Sequence, residues 1–246
     1  MATIAGNLQA VRARIARAAQ AAGRAADAIT LVAVSKTFPA AMVVEAHAAG
    51  QRLFGENQAQ EGVKKIAEVA ALLRERRDAP VPSSGVASPE WHFIGPIQSN
   101  KTRVIAEHFQ WVHGIERDRI AARLDAARPA TLPPLDVCIQ VNVSGEASKA
   151  GVAPGEELAL AEAISRLPRL RLRGLMAIPA PTPDPSEERR QFARLRQLRD
   201  GLIARGFPLD TLSMGMSDDL EAAILEGATM VRVGTAIFGS RHVQPA

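Results

Sequence analysis

Cysteine, tyrosine and long apolar runs are what this sequence lacks. Its 246 residues include one cysteine, Cys138, and no tyrosine. A lone cysteine excludes an internal disulfide and suits a reducing compartment, and its place in the apolar run 135–143 predicts burial. No C-x-x-C or H-x-x-x-H spacing occurs, so we expect no structural metal site. No apolar run approaches the length of a membrane span, so we expect no membrane contact. No signal-peptide h-region occurs either, so we expect a cytoplasmic protein.

Charge of one sign is not concentrated anywhere. The chain has 30 basic and 26 acidic residues, and no basic run interleaved with aromatic residues, which argues against a nucleic-acid partner. Only five of the basic residues are lysines: Lys36, Lys64, Lys65, Lys101 and Lys149. Because arginine supplies most of the positive charge, a lysine in this chain indicates a use for the amine itself.

The segment before Asp27 is rich in arginine and has no acidic residue, a composition that transit peptides share. Its apolar residues nevertheless recur at helical spacing, which predicts an amphipathic helix packed on the domain. These residues are Ile4, Leu8, Val11, Ile15 and Ala22. Further along, the Pro- and Ser-rich segment 77–90 has no periodicity and predicts a mobile surface loop. It separates no two cores, so we expect one domain over residues 1–246.

Eight short apolar runs follow residue 29, and helical stretches separate most of them. The runs lie at 30–35, 52–56, 91–95, 111–115, 135–143, 171–178, 210–215 and 229–234. Most show no strict alternation, as is typical of strands buried on both faces. Eight βα units in about 250 residues predict an α/β fold, a single (β/α)8 TIM-type barrel with an extra N-terminal helix. An open doubly wound sheet is the alternative, but its G-x-G-x-x-G fingerprint is missing after the first strand.

Binding and catalytic residues of such barrels lie at the carboxyl ends of the strands. Lys36 ends the first strand in the sequence LVAVSK, and Asn57 follows the second in GEN. Polar side chains and glycines follow the other strands as well. We therefore expect the site at this pole of the barrel.

The loops after strands 7 and 8 predict a phosphate site, as in many barrels of this type. Ser213 and its neighbour Met214 belong to the first loop, and Gly234 and Thr235 belong to the second. Hydroxyls, backbone N–H groups and helix starts together favour an anion. Ser217 is interpreted instead as the N-cap of the helix that begins with DDLEAA.

A phosphate site beside a lysine fits two chemistries that use a Schiff base. One is a class I aldolase acting on a phosphorylated substrate; the other is pyridoxal 5′-phosphate (PLP), which carries an aldehyde and a phosphate on one ring. An apolar strand end favours the neutral amine that either needs. Arg232 favours PLP, since it lies two residues before Gly234, faces the same side and would meet the pyridine nitrogen. Its alternative role is a salt bridge inside the barrel.

Six segments spread over nearly the whole chain carry a family resemblance: LVAVSKTFP, FGENQAQE, WHFIGPIQSNK, VNVSGEASKAG, GLMAIP and LSMGMSDDLEAAILEGATMVRVGTAIFG. Together they resemble the pyridoxal phosphate homeostasis protein family, also called the proline-synthase co-transcribed family. The resemblance implies a barrel like the N-terminal domain of alanine racemase, with PLP held as a Schiff base on Lys36. It implies a ring contact from Arg232, a place near the ring for Asn57, and phosphate contacts from Ser213, Gly234 and Thr235.

Catalysis is not what the composition favours. A racemase needs proton-transfer groups on both faces of its substrate, and the tyrosine that serves one face in alanine racemase has no counterpart in a chain without tyrosine. An arginine at the pyridine nitrogen also weakens the ring as an electron sink. The resemblance therefore implies a monomeric protein that buffers, stores or delivers PLP, with PLP-requiring apo-enzymes as partners. The alternatives are a weak PLP-dependent racemase and a class I aldolase.

Overall fold

The computed structural model describes residues 3–77, 87–146 and 149–239, and its centre is a closed barrel of eight parallel strands in chain order. The strands are β1 (Thr30–Val34), β2 (Leu53–Glu56), β3 (Glu90–Phe93), β4 (Trp111–Ile115), β5 (Leu135–Gln140), β6 (Leu170–Met176), β7 (Thr211–Ser213) and β8 (Met230–Val233). β8 closes the barrel against β1, pairing Thr30 with Met230 and Ala33 with Val233. The predicted (β/α)8 barrel is confirmed.

Helices surround the barrel and connect its strands. They are α1 (Ile4–Ala21), α2 (Ala40–Ala48), α3 (Ala59–Arg77), α4 (Thr102–His108), α5 (Asp118–Ala127), α6 (Glu157–Ser165), α7 (Pro185–Ala204), α8 (Leu220–Leu225) and α9 (Thr235–Phe238). Local sequence sets several of their ends. The Asp184 side chain accepts a hydrogen bond from the Ser186 N–H, and Pro185 takes the first helical position of α7, where its missing N–H costs nothing.

Two apolar layers lie on either side of the strands. The larger layer packs between the sheet and the helices. The smaller fills the inside of the barrel with Val32, Trp111, Cys138, Met176 and Met230. Cys138 is fully buried there, and burial raises the pKa of its thiol, so it behaves as a small apolar side chain.

The N-terminal helix α1 packs against α2, α8 and α9. The Asn7 side chain donates to the Ile237 carbonyl at 2.8 Å. Arg14 donates to the Ser217 carbonyl at 2.9 Å and binds the Glu221 carboxylate through two N–H groups. The predicted amphipathic helix is confirmed, and it braces the loops that follow β7 and β8.

Several predicted strand ends differ from the structure, and the largest differences are at β5 and β7. β5 ends at Gln140, because the next residues leave the sheet and Val141 bridges to Val152. β7 ends at Ser213, two residues earlier than predicted. Of the predicted loop 77–90, residues 78–86 lie outside the described residues. Within the described ranges, no helix has the length and apolar character needed to cross a membrane.

Candidate functional site

A cavity of about 370 Å³ opens at the carboxyl ends of the strands, within the roughly 300–1,000 Å³ typical of small-molecule sites. Its lining comprises Val34, Lys36, Phe38, Asn57, Ile94, Gly95, Pro96, Ile178, Met216, Ser217, Asp218, Arg232, Gly234 and Thr235. Five of the seven predicted site residues are therefore brought together: Lys36, Asn57, Arg232, Gly234 and Thr235. Among the described residues, no cluster of His, Cys, Asp or Glu side chains suits a metal ion.

Lys36 stands in a tight turn whose two flanking residues are bound by α3. The Phe38 N–H donates to the Ser35 carbonyl, and Thr37 adopts a left-handed φ of 69° that non-glycine residues rarely use. Lys65 Nζ donates to the Ser35 carbonyl at 2.7 Å. Glu61 Oε1, one helical turn away, accepts from the Thr37 N–H at 3.0 Å. This contact set, which we call the α3 clamp, fixes the backbone on both sides of the lysine.

Glu56 anchors the α3 clamp from inside the protein. Its Oε1 accepts from Lys65 Nζ and from the Ser35 hydroxyl, both at 2.7 Å, and the residue is fully buried. Its other oxygen, Oε2, is buried without a hydrogen-bond partner. Burial raises the pKa of Glu56 although the bonds from Lys65 and Ser35 act the other way. The sequence drew attention to Lys36 and to GEN but gave no signal for Lys65, because the pairing of α3 with this turn is tertiary.

Arg232 extends from β8 across the inside of the barrel to the cavity. Its Nη1 donates to the Ser213 carbonyl at 2.6 Å and the Ser213 hydroxyl at 2.7 Å, and its Nη2 donates to the Ala177 carbonyl at 3.0 Å. Burial lowers the pKa of Arg232 to about 10, so it is charged at neutral pH. Within the described part of the chain all these partners are neutral. The predicted alternative, a salt bridge inside the barrel, is therefore wrong.

Ser217 and Thr235 face each other across the predicted phosphate side, with their hydroxyl oxygens 3.2 Å apart. Both line the cavity beside Gly234, where an added Cβ would lie 3.1 Å from the Val34 carbonyl. The interpretation of Ser217 as a helix N-cap is wrong, because α8 begins at Leu220 with Asp219 in the cap position. The hydroxyl of Ser217 is thus available to the cavity.

Ser213 and Met214 do not lie where the sequence predicted. Ser213 is fully buried inside the barrel, below the cavity, and its hydroxyl bonds Arg232 and Nδ1 of His113. Met214 packs in the apolar layer between the sheet and the helices. The physical reason is that Ser213 is the last residue of β7 and its side chain points into the barrel, whereas the loop reaches the cavity only at Met216 and Ser217.

Asn57 is positioned by a close backbone approach. A Cβ on Gly95 would lie 2.2 Å from the Asn57 carbonyl oxygen, so only glycine permits this contact. The Asn57 side-chain oxygen is buried and has no hydrogen-bond partner. Asn57 also lines the cavity, so its amide is a candidate polar contact for a ligand there.

Another cavity of about 410 Å³ lies beside α1, between Arg12, Asp27 and Arg52. It is bordered by Thr30 and Leu53, the first residues of β1 and β2. This is the amino end of the strands, where the residues of such barrels contribute to stability and not to catalysis or binding. Despite its volume, it is the weaker candidate.

The chain is similar to known proteins over almost its whole length. Residues 6–242 match the family model "Alanine racemase, N-terminal domain". A protein of Pseudomonas aeruginosa named pyridoxal phosphate homeostasis protein is 61% identical, the match covering 98% of this chain and 97% of that one. The Escherichia coli K12 protein of the same name is 56% identical, with 97% of each chain covered.

Solved structures show the same fold. The chain matches PipY of Synechococcus elongatus, solved with PLP bound, at a TM-score of 0.79 and 34% identity, covering 96% of this chain and all of PipY. Alanine racemase from Corynebacterium glutamicum matches at a TM-score of 0.64 and 16% identity over 97% of this chain and 62% of the enzyme. The second likeness concerns the fold alone.

Proposed function

Since this chain belongs to the family of pyridoxal phosphate homeostasis proteins, we propose that it binds PLP in the barrel-mouth cavity and buffers, stores or delivers that cofactor. One observation carries the proposal. A lysine, a buried arginine and a pair of hydroxyls line the same cavity, and they are Lys36, Arg232, Ser217 and Thr235. These groups match the aldehyde, the ring nitrogen and the phosphate of PLP in chemical kind.

Each of these residues has a distinct part in the proposal. Lys36 would hold the aldehyde carbon covalently, and Ser217, Thr235 and the Gly234 backbone would hold the phosphate. The three hydrogen bonds of Arg232 use at most three of its five N–H groups, so at least two remain for the ring nitrogen. Asn57 would lie beside the cofactor ring, as a lining residue of the cavity.

The electrostatics favour holding the cofactor over using it. When bound, PLP supplies an electrophilic aldehyde and a ring that can accept electrons. A charged Arg232 donates to the ring nitrogen without protonating it, which keeps that electron sink weak. The ionisable residues of the cavity lining are Lys36, Arg232 and the rim residue Asp218. A racemase needs a proton donor and a proton acceptor on opposite faces of the substrate, and a lining with Lys36 and an exposed Asp218 is poorly suited to that.

The wider proposal is a monomer in the cytoplasm that gives PLP to apo-enzymes. Reversibility would come from exchange of the aldehyde from Lys36 to another amine, and retention would come from the phosphate contacts. The single domain predicted over residues 1–246 and the open cavity mouth suit exchange with solvent and with other proteins.

Borohydride reduction followed by peptide mapping tests the proposal. We expect stoichiometric PLP to give a coloured protein and, after reduction, a pyridoxyl group on Lys36. The exposed Lys64 provides a matched control, because Lys64→Ala should label like the wild type whereas Lys36→Ala should not. A label mainly on Lys101 or Lys149 would contradict the assignment. A colourless protein that binds a phosphorylated substrate would favour a class I aldolase.

A transfer assay separates a carrier from an enzyme. The loaded protein should activate a PLP-requiring apo-enzyme after mixing, without appreciable turnover of alanine or serine. Racemisation by the wild type that disappears in Lys36→Ala would restore the racemase.

A further inference from the structure

We propose that Glu90, at the floor of the barrel, is a positioning residue for Arg232 at its mouth, acting through a chain of buried side chains. Glu90 is the first residue of β3, at the opposite end of the barrel from the cavity, and its side chain is 42% exposed. For its effect on PLP the inference rests on the proposed function. The hydrogen-bonded series of side chains is present in the protein without cofactor.

Four hydrogen bonds link the two residues through the barrel interior. From the mouth downward, Arg232 Nη1 lies 2.7 Å from Ser213 Oγ, which lies 2.7 Å from His113 Nδ1. His113 Nε2 lies 2.8 Å from His92 Nδ1, and His92 Nε2 lies 3.2 Å from Glu90 Oε1. Both histidines and Ser213 are fully buried.

The chemistry of the end groups fixes the direction of every bond. An arginine only donates, so Ser213 Oγ accepts from it; at the other end the carboxylate only accepts, so each neutral ring donates toward Glu90 and His113 Nδ1 is left to accept the Ser213 hydrogen. His113 then carries its proton on Nε2 and donates to His92 Nδ1. His92 in turn carries its proton on Nε2 and donates to the Glu90 carboxylate. The chain therefore runs one way, from the guanidinium to the carboxylate.

The charges agree with this direction. Burial lowers the pKa of His92 and holds that of His113 well below its ordinary value, so both rings are neutral at pH 7. The bond from His92 lowers the pKa of Glu90, so its carboxylate is ionised. Hydrogen bonds in such a chain polarise one another. Through them, a buried cation whose described partners are all neutral is connected to a partly exposed anion.

Without the Glu90 carboxylate as the final acceptor, the direction of the hydrogen bonds would no longer be fixed. Without it, either histidine can take its proton on Nδ1, and His113 can then donate toward Ser213. The Ser213 hydrogen would have no acceptor except at the expense of the Arg232 contact, and the guanidinium would shift relative to the cavity. Glu90 thus selects one arrangement of protons and one position of Arg232.

Two substitutions at the floor test the inference. Glu90→Gln keeps an oxygen acceptor at the same reach, whereas Glu90→Leu removes it. The first readout is nitrogen-15 NMR of the histidine rings in the full chain stripped of cofactor. We expect Nε2–H rings at positions 92 and 113 in the wild type and in Glu90→Gln, and mixed tautomers in Glu90→Leu.

The second readout is the absorbance of bound PLP and its affinity. Glu90→Leu should shift the absorbance maximum and weaken binding roughly three- to tenfold, the size of one weakened hydrogen bond. Glu90→Gln should resemble the wild type. A wild-type ring at position 113 or 92 protonated on Nδ1 would overturn the inference, even if Glu90→Leu fails to fold. So would a folded Glu90→Leu with wild-type tautomers and spectrum. If no variant binds PLP, the proposed function fails, while the tautomers still decide about the chain.

Discussion

Lys36 and Arg232 face the same cavity from neighbouring strands, yet the protein holds them by opposite means. Lys36 is fixed through the backbone of its neighbours by the α3 clamp, an ionic set outside the barrel. Arg232 is fixed through its own side chain by neutral acceptors inside the barrel. The difference follows from the proposed tasks. A lysine that exchanges an aldehyde needs a fixed backbone and a side chain that can turn. An arginine that contacts the cofactor ring needs a fixed guanidinium.

Removing the buried ion pair of the α3 clamp should have the largest effect, which is on the stability of the fold. Lys65→Met leaves Glu56 buried without its cation, which costs about 3–5 kcal/mol. For a chain of this size that corresponds to a fall in Tm of roughly 6–20 °C. Thermal unfolding followed by circular dichroism measures it.

The adjacent lysine supplies the control for that measurement. Lys64 is 79% exposed and makes only a 3.7 Å contact with Glu68, so Lys64→Met should change Tm very little. Adding Glu56→Gln to Lys65→Met should recover part of the loss, because the uncompensated carboxylate is gone. Equal stability of the two single lysine variants would show that the α3 clamp is not ionic in effect.

Substitutions at the proposed phosphate-binding hydroxyls should have the next largest effect, which is on PLP affinity. This effect should not depend on the α3 clamp or on the hydrogen bonds of Arg232. Thr235→Ala or Ser217→Ala would remove one of the proposed hydrogen bonds to the charged phosphate, worth about 1.5–3 kcal/mol. PLP should therefore bind roughly ten- to a hundredfold more weakly, as measured by equilibrium titration. Ser213→Ala is the comparison variant, and its loss should stay below about tenfold because it bonds Arg232 and not the phosphate. A larger loss in Ser213→Ala than in Ser217→Ala would restore the original prediction for Ser213.

Acid should lower the stability that the buried neutral histidines inside the barrel contribute. His92 and His113 have depressed pKa values in the folded protein, so the unfolded chain binds more protons as pH falls. Their stabilisation is fully present above the unfolded value of about 6.5 and is lost as pH drops below it, at up to about 1.4 kcal/mol per pH unit for each ring. Urea unfolding between about pH 7.5 and 5.5 should show this slope. His113→Gln should flatten it, whereas His108→Gln, on α4 outside the barrel interior, should not.

Among the residues proposed to contact PLP directly, Arg232 should change the affinity least when replaced by alanine. The guanidinium would touch the ring nitrogen and not the phosphate, so PLP binding should weaken only modestly while the absorbance of the bound cofactor changes. Arg171→Ala, at the exposed floor of the barrel, serves as the control and should leave the spectrum unaltered. An unchanged spectrum and affinity in Arg232→Ala would mean that the arginine does not meet the ring.

Periodicity in the sequence predicted the barrel because eight buried strands leave eight apolar runs. The predicted β4 matches the structure to the residue, whereas the predicted β7 is two residues too long at its carboxyl end. The prediction also counted Ser213 with the loop after β7, whereas its side chain lies inside the barrel and Ser217 lines the cavity. The regular ladder ends at the pairing of Ser213 with Met230, although Met214 and Gly215 still form backbone hydrogen bonds to β8, and apolar content does not reveal this irregularity.

The buried polar groups were the other omission. His92 and His113 lie within apolar strand segments, and a count of strand positions could have placed them inside the barrel. Their connection to Ser213 depends on the register of non-adjacent strands and is visible only in three dimensions. Lys36 was identified because a strand-end lysine in an arginine-rich chain is conspicuous without any knowledge of its neighbours.

The bracing of the last two barrel loops by the first helix has a consequence for biosynthesis. Asn7 and Arg14 contact residues 237 and 217, more than two hundred positions later in the chain. During translation the first helix leaves the ribosome long before its partners exist, so it waits with an apolar face uncovered. The cavity is completed only when β8 closes on β1 and both loops dock on α1. A nascent chain that ends before β8 lacks Arg232, Gly234 and Thr235 of the cavity lining, so we expect it to bind a ligand poorly.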